Sequence, residues 1–349
     1  PVSLSRWEIS NNYQISLLRY LENLHEFDSK MFSISNSETL HLDPQQRLLL
    51  EQMSRFVLSI DRKEDAGVFV GIATGDYTDM ILSHDSISAF TATGSAISAA
   101  SGRLSYTFGL NGPSLSVDTA CSASLVALNL ATYPLRQRSI QSGTVCAAKC
   151  ILTPLTSMMF QAASMLAPDY RCKTMDQSAN GFVRGEASVG IFLHTGEQDT
   201  ATKNVVVCGT AVNQDGRSSS LTAPNGPAQQ GVMRAAVRQA GGTTVVHSLQ
   251  MHGTGTALGD PIEVGATSAV LGTQDSTLVL SAGKTCIGHT EPAAGISGIV
   301  HAMTAMSSAT AHPLLHLTQV NPHLEGIMAG QASKFMLARS VAPRAMSET

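Results

Sequence analysis

Short runs of consecutive apolar, often β-branched residues alternate along this chain with longer stretches whose apolar positions recur at helical spacing. Ala66–Ile72 (AGVFVGI), Ser114–Asp118, Val145–Leu152, Ala187–Leu193, Val205–Val212, Val245–Met251 and Leu278–Ala282 read as strands. Continuous apolar runs bounded by turn residues mark strands covered on both faces. The segments Gln45–Met53, Ser95–Leu104, Ser122–Leu135, Ala228–Ala240, Asp260–Leu271 and Pro292–Met306 read as helices, and a helix-like patch lies around Ile15–Leu24. Asp43-Pro44 opens the first of these helices as an N-cap followed by a first-turn proline. Buried strands alternating with helices predict an α/β fold with parallel or mixed sheets. The polar stretch Gly196–Asn204 breaks the pattern near its middle, so two halves, 1–199 and 200–349, are expected.

Composition adds limits. Hydrophobic residues are 43% of the 349 and charged residues only 14%, against roughly 25% charged in an average globular chain. So few charges imply a surface partly covered by a symmetric partner or neighbouring domains. The net charge of −4 offers no basic field for nucleic acid or an anionic membrane. No apolar run reaches the about 18 residues of a membrane span. The six cysteines are scattered, which predicts free thiols in a reducing compartment (cytoplasm or a reducing organelle) and not a secreted scaffold. The chain opens on Pro1 with no signal-like segment, and so reads as part of something longer.

Three stretches carry candidate chemistry. In SVDTACSASLVALNLA (116–131), Cys121 stands between a strand and a helix. That turn would lift its thiol toward free N–H groups that favour thiolate and could bind an oxyanion. Taken alone, the stretch favours a small buried core thiol, since free cysteine is among the most buried residue types. In LQMHGTGTALGDPIE (249–263), His252 ends a strand before a Gly/Thr turn, where backbone can approach a ligand closely. The glycine spacing is not the dinucleotide fingerprint, Leu278 stands where a Walker loop ending in Gly283-Lys284-Thr285 would need glycine, and no HExxH metal motif occurs. In SAGKTCIGHTEPAAGISG (281–298), Lys284 and His289 flank a turn into a small-residue helix. Cys121, His252 and His289 thus all follow strand ends, where α/β folds gather their sites.

With these stretches the sequence resembles the ketosynthase (β-ketoacyl synthase) domain of type I polyketide synthases and animal-type fatty acid synthases. The resemblance also rests on DPQQRLLLE (43–51), GLNGPSLSVDTACSASLVAL (109–128), RCKTMDQSANGFVRGE (171–186) and NQDGRSSSLTAPNGPAQQ (213–230). It implies a thiolase-like fold, with two related αβα halves stacked as five layers, usually in a homodimer. It implies that Cys121 is the acylated nucleophile. His252 and His289 would assist decarboxylation of a malonyl extender and stabilise enolate and thioester oxygens, and Lys284 would hold the site electrostatically. Thr254 and Thr256 match the family's pantetheine-contacting threonines, and Asp260, Glu263 and Glu291 are candidate ionic partners. No bound metal or redox cofactor is implied. Substrates would arrive on the phosphopantetheine of an acyl carrier protein, with an acyltransferase and other synthase domains as partners.

The sequence also departs from the family. Its opening strand and its closing Phe-Gly-Gly-Thr-Asn-Ala-His-like loop have no counterpart, so truncation at both ends is expected. Loss of that loop's oxyanion amide would impair the enzyme. Cys146-Ala147 stand where Gly-Gly is frequent, Lys149 where Asn is, and Ala187, Met251 and His301 replace frequent Gly, Ala and Lys. A non-elongating dimerisation or carrier-docking module is the rival reading. A thiolase-type acyltransferase and a cysteine hydrolase fit the paired histidine motifs less well.

Overall fold

The computed structural model describes residues 20–61, 63–73, 75–83, 87–196, 205–329 and 335–338. The stretch 197–204 and residues 15–19 lie outside these. Tyr20–Leu24, the described remainder of the expected first helix-like patch, is not helical. The chain divides into two compact units: Pro1–Met159 with Arg184–Gln198 and Thr290–Ser297, and Phe160–Val183 with Asp199–His289 and Gly298–Thr349.

The first unit holds a four-stranded sheet in the order β2-β1-β3-β4. Its strands are β1 (Ala66–Gly71), β2 (Ser114–Val117), β3 (Ser142–Lys149) and β4 (Ala187–His194). β1 runs parallel to β2 and β3, and β4 runs antiparallel to β3. Every residue of β1 and β3 is buried, as their unbroken apolar runs require of strands covered on both faces. Phe32, Leu42, Leu49, Leu50, Met53, Val68, Val70 and Leu104 form the core there. The helix Pro44–Ser54 starts as expected, with Asp43 Oδ1 accepting the Gln45 amide at 2.8 Å and Pro44 in the first turn. Helix Ala123–Arg136 passes so close to β1 that a Cβ on Gly71 would lie 2.6 Å from the Ser124 backbone. Only glycine at the end of β1 allows that approach.

The second unit holds a parallel sheet in the order β5-β6-β7, from Ser248–Gln250, Leu278–Ser281 and Phe335–Leu337. Its core gathers Met175, Met251, Val264, Leu271, Leu278, Leu280, Leu314 and Leu324. The helices Gly226–Gln239 and Gly259–Leu271 fall where periodicity placed them.

Two strand expectations need correction. Residues 205–212 form no strand, and Val205, Val206, Val207 and Val212 are exposed. A strand needs a ladder partner as well as β-branched residues. Here the polar groups go to a helix instead: Thr210 N–H donates to Gln239 Oε1 at 2.5 Å, and Asn213 Nδ2 to the Ala228 carbonyl at 2.7 Å. The run Val245–Met251 keeps only Ser248–Gln250 as strand, where β6 offers partners.

Candidate active site

In the first unit, β2 ends at Val117 and the chain turns sharply. The Asp118 carboxylate accepts the Ala120 amide at 3.0 Å. Ala120 takes a left-handed backbone, φ 52°, which a residue with a Cβ adopts at a cost of about 1 kcal/mol or more. A 3₁₀ turn, Ala120–Ser122, then leads into helix Ala123–Arg136. Cys121 sits in that turn, half-buried. The Ser122 hydroxyl turns back to the Thr119 carbonyl and hydroxyl, both at 2.9 Å, and makes no cap bond to the helix. Ser122 thus gives the first helix amides no side-chain acceptor at the end where an anion is favoured.

Glu291 belongs to the same unit. It is left-handed (φ 49°) and opens the turn Glu291–Ala293, which packs against the Cys121 turn, β3 and helix Ala123–Arg136. Its carboxylate pairs with Arg184 Nε at 2.5 Å and Lys149 Nζ at 3.2 Å. Arg184 also donates to the Ser157 hydroxyl at 2.7 Å. Burial works to raise the Glu291 pKa, but the Lys149 and Arg184 charges outweigh it and hold the carboxylate below its ordinary value. Glu291 was an expected ionic partner; Lys149 and Arg184 were not singled out as its counter-ions. The available signal was a lone lysine closing the apolar run VCAAK, since a buried charge needs a partner. On the same strand Cys146 is fully buried, and burial pushes its thiol up to about 12. It is a neutral core thiol.

The second unit brings together the other residues of interest. His252 follows β5 and begins the HGTGT turn. Gly253 and Gly255 there are left-handed, φ 48° and 77°, and a Cβ on Gly255 would lie 2.7 Å from the Lys173 amide nitrogen. Glu263 accepts the His252 and Gly253 amides at 2.6 and 2.9 Å. Lys284 is buried and donates to the His252 carbonyl at 2.7 Å. His252 keeps exposed surface although protein atoms crowd its ring. Crowding, and then the Lys284 charge, push its pKa down to about 3; the direction follows from the lysine charge alone. The His252 imidazole is therefore neutral at pH 7. His289 is buried, its ring edge-on to His252 at 5.4 Å and to Phe182 at 5.1 Å. Its amide donates to the Val183 carbonyl at 2.7 Å. Thr254 and Thr256 place their hydroxyls 3.4 Å apart, and Thr256 Oγ1 accepts the Gly259 amide at 3.1 Å.

Asp260 lies in the first turn of helix Gly259–Leu271 and accepts the Met175 and Gly255 amides at 2.7 and 3.1 Å. Burial, offset in part by those bonds, pushes its pKa from 3.8 up to about 6. Between those values the folded chain holds a proton that the unfolded chain has released. This carboxyl's contribution to stability therefore falls as pH rises through that window, by about 3 kcal/mol in all, and is flat above it. We expect the melting temperature of wild type minus that of Asp260→Asn to fall across the same window. A difference independent of pH would refute the assignment.

Comparison with known proteins agrees with this architecture. The ketosynthase from module 6 of the bacillaene synthase of Bacillus subtilis 168 superposes with a TM-score of 0.88 at 30% identity, over 99% of this chain and 62% of that one. The oxazolomycin ketosynthase domain OzmH KS7 of Streptomyces albus JA3453 superposes at 0.85 and 29% identity, over 93% and 59%. The fold is thus thiolase-like, of the mixed α/β kind. Residues 4–199 match the family model "Beta-ketoacyl synthase, N-terminal domain" and residues 205–318 match "Beta-ketoacyl synthase, C-terminal domain". This chain belongs to the beta-ketoacyl synthase family. It is 41% identical over 321 residues to the spectinabilin polyketide synthase system protein NorC of Streptomyces orinoci, spanning 88% of this chain and 14% of the relative. It is 42% identical over 313 residues to the pikromycin polyketide synthase component PikAII of Streptomyces venezuelae, spanning 85% and 8%. The chain therefore covers only a small part of these relatives' length. Among the described residues no helix is long and apolar enough to cross a membrane.

Proposed function

We propose that this chain is a condensing domain that joins an acyl thioester to a malonyl-type extender, within polyketide or fatty acid assembly. The Cys121 thiolate attacks the acyl thioester, forming acyl-Cys121 and releasing the carrier thiol, which takes up a proton. The malonyl thioester then loses CO2 and keeps the electron pair as an enolate. The enolate attacks the acyl-Cys121 carbonyl, so a C–C bond forms, the C–S bond breaks and the thiolate returns. The neutral His252 imidazole and the His289 imidazole donate hydrogen bonds to the enolate oxygen. Lys284 and Glu263 hold the His252 backbone between them. Thr254 and Thr256 face the pantetheine arm.

The observation that carries this reading is the imidazole pair itself. His252 is kept neutral beside Lys284, with His289 edge-on at 5.4 Å. Glu263 binds the His252 main chain, which leaves the ring to be a donor instead of the carboxylate-oriented base of a hydrolase. Acyl and malonyl groups are taken to arrive on the phosphopantetheine of an acyl carrier protein supplied by neighbouring synthase domains. A second copy is taken to pair along β2. That strand is a sheet edge with exposed Leu115, and exposed Tyr106 and Tyr133 lie on the flanking helices. A monomer by ultracentrifugation at micromolar concentration would remove this dimer.

Decarboxylation and condensation can be assayed separately, with malonyl-carrier alone and then with acyl thioester added. Both products are expected. Decarboxylation without a C–C product would replace this reading by a non-elongating module.

A further inference from the structure

Three charged groups, Lys149 and Arg184 buried and Glu291 partly so, meet at the turn that packs on the Cys121 turn, and Lys149 among them has had no role so far. It closes β3, is 2% exposed, and reaches Glu291 at 3.2 Å. Arg184, fully buried, grips the other oxygen of the same carboxylate. Lys149 also acts on the buried Asp43 carboxyl that caps helix Pro44–Ser54. Two cations on one carboxylate exceed what neutralising it requires, and a buried ionic cluster can serve to fix one conformation. What the clamp restrains is unusual. Glu291 is left-handed, a conformation that persists in a residue with a side chain only when neighbours over-determine it. The Glu291–Ala293 turn packs directly on the Ala120–Ser122 turn. Just beyond it, the Ile296 amide donates to the buried Ser124 hydroxyl at 3.2 Å. Gly295 lies so near Leu125 that a Cβ there would collide with the leucine side chain. The segment 291–296 is therefore the bed on which the nucleophile turn rests.

We propose that Lys149 is a positioning residue: by clamping Glu291 together with Arg184, it fixes the left-handed Glu291 turn and thereby the orientation of Cys121. The proposal rests on Cys121 being the acylated nucleophile. Lys149 acts on Cys121 through Glu291, and its second charge contact is the Asp43 cap. A misplaced nucleophile slows the chemical step and leaves thioester binding nearly intact.

The test compares wild type, Lys149→Met and Lys149→Arg on the full chain, using an acyl-N-acetylcysteamine thioester as probe. Loading of Cys121 is followed by peptide mass spectrometry. Hydrogen exchange is followed in peptides covering 117–126, and circular dichroism checks folding. Lys149→Met leaves a one-to-one Arg184–Glu291 pair and so is expected to fold. Its saturating acylation rate is expected to fall about tenfold with KM within about twofold. Its 117–126 amides are expected to exchange faster, and Lys149→Arg to recover most of both. Acylation and exchange at wild-type levels in Lys149→Met would overturn the proposal, as would a folded Lys149→Arg no better than Lys149→Met. If wild type itself is never acylated, the nucleophile reading fails. The exchange comparison then still decides whether Lys149 holds the turn.

Discussion

Cys121→Ala is expected to abolish covalent acyl loading while leaving the fold intact. The turn around this residue is built to present a side chain. Asp118 pins the Ala120 amide, Ala120 accepts a left-handed backbone, and Ser122 folds its hydroxyl back on Thr119 instead of capping the helix. Ser122 thus makes no side-chain cap bond, and amides at a helix N-terminus can bind a developing oxyanion. Removing the sulfur removes the attacking atom, and no neighbouring group can form the thioester in its place. The loading rate measured by intact-protein mass spectrometry should fall at least about 10³-fold. Cys121 is only half-buried, so the loss of stability should stay within about 1 kcal/mol. Acyl transfer to a folded alanine variant at the wild-type rate would defeat the assignment.

The second large effect is on stability. Glu291→Ala leaves Lys149 and Arg184, both buried, without the carboxylate they share. Breaking a buried pair by deleting one partner costs about 3–5 kcal/mol, because the remaining charge stays out of water. Against the roughly 5–15 kcal/mol of a typical domain this is a large fraction. The urea midpoint at pH 7 should drop accordingly. The sign of the pH dependence follows from the depressed Glu291 pKa. Its stabilisation is fully present above the ordinary glutamate range and is lost as pH falls through the lowered folded value. The gap between wild type and Glu291→Ala should therefore close in acid. A gap that is small at neutral pH would mean the triad is solvated and not a buried clamp.

Much of the fold was legible beforehand, for reasons visible in single elements. The run AGVFVG is continuous and β-branched because both its faces are covered, and it became β1. Asp43-Pro44 specifies a helix start through local hydrogen bonding alone, and the helix begins there. Val205–Val212 has the same surface signature as β1 and is no strand, because pairing depends on where other segments lie. In the candidate site, the Gly/Thr turn after His252 was readable since left-handed positions call for glycine. The counter-ions of Glu291 were not: Lys149 and Arg184 lie 142 and 107 positions from it in sequence, distances that only folding closes.

By itself, then, the sequence determined what depends on neighbours along the chain. It set the alternation of buried strands and helices, the strand-to-helix turn at Cys121, and the motif spacing that carries the family resemblance. Tertiary structure alone decided what depends on neighbours in space. It sent Glu263 to the His252 main chain, crowded the His252 ring and set Lys284 near it, which together keep that imidazole neutral, and brought Lys149, Arg184 and Glu291 together. Electrostatic shifts arise from burial and from charges a few ångströms away, and neither quantity exists until the chain has folded.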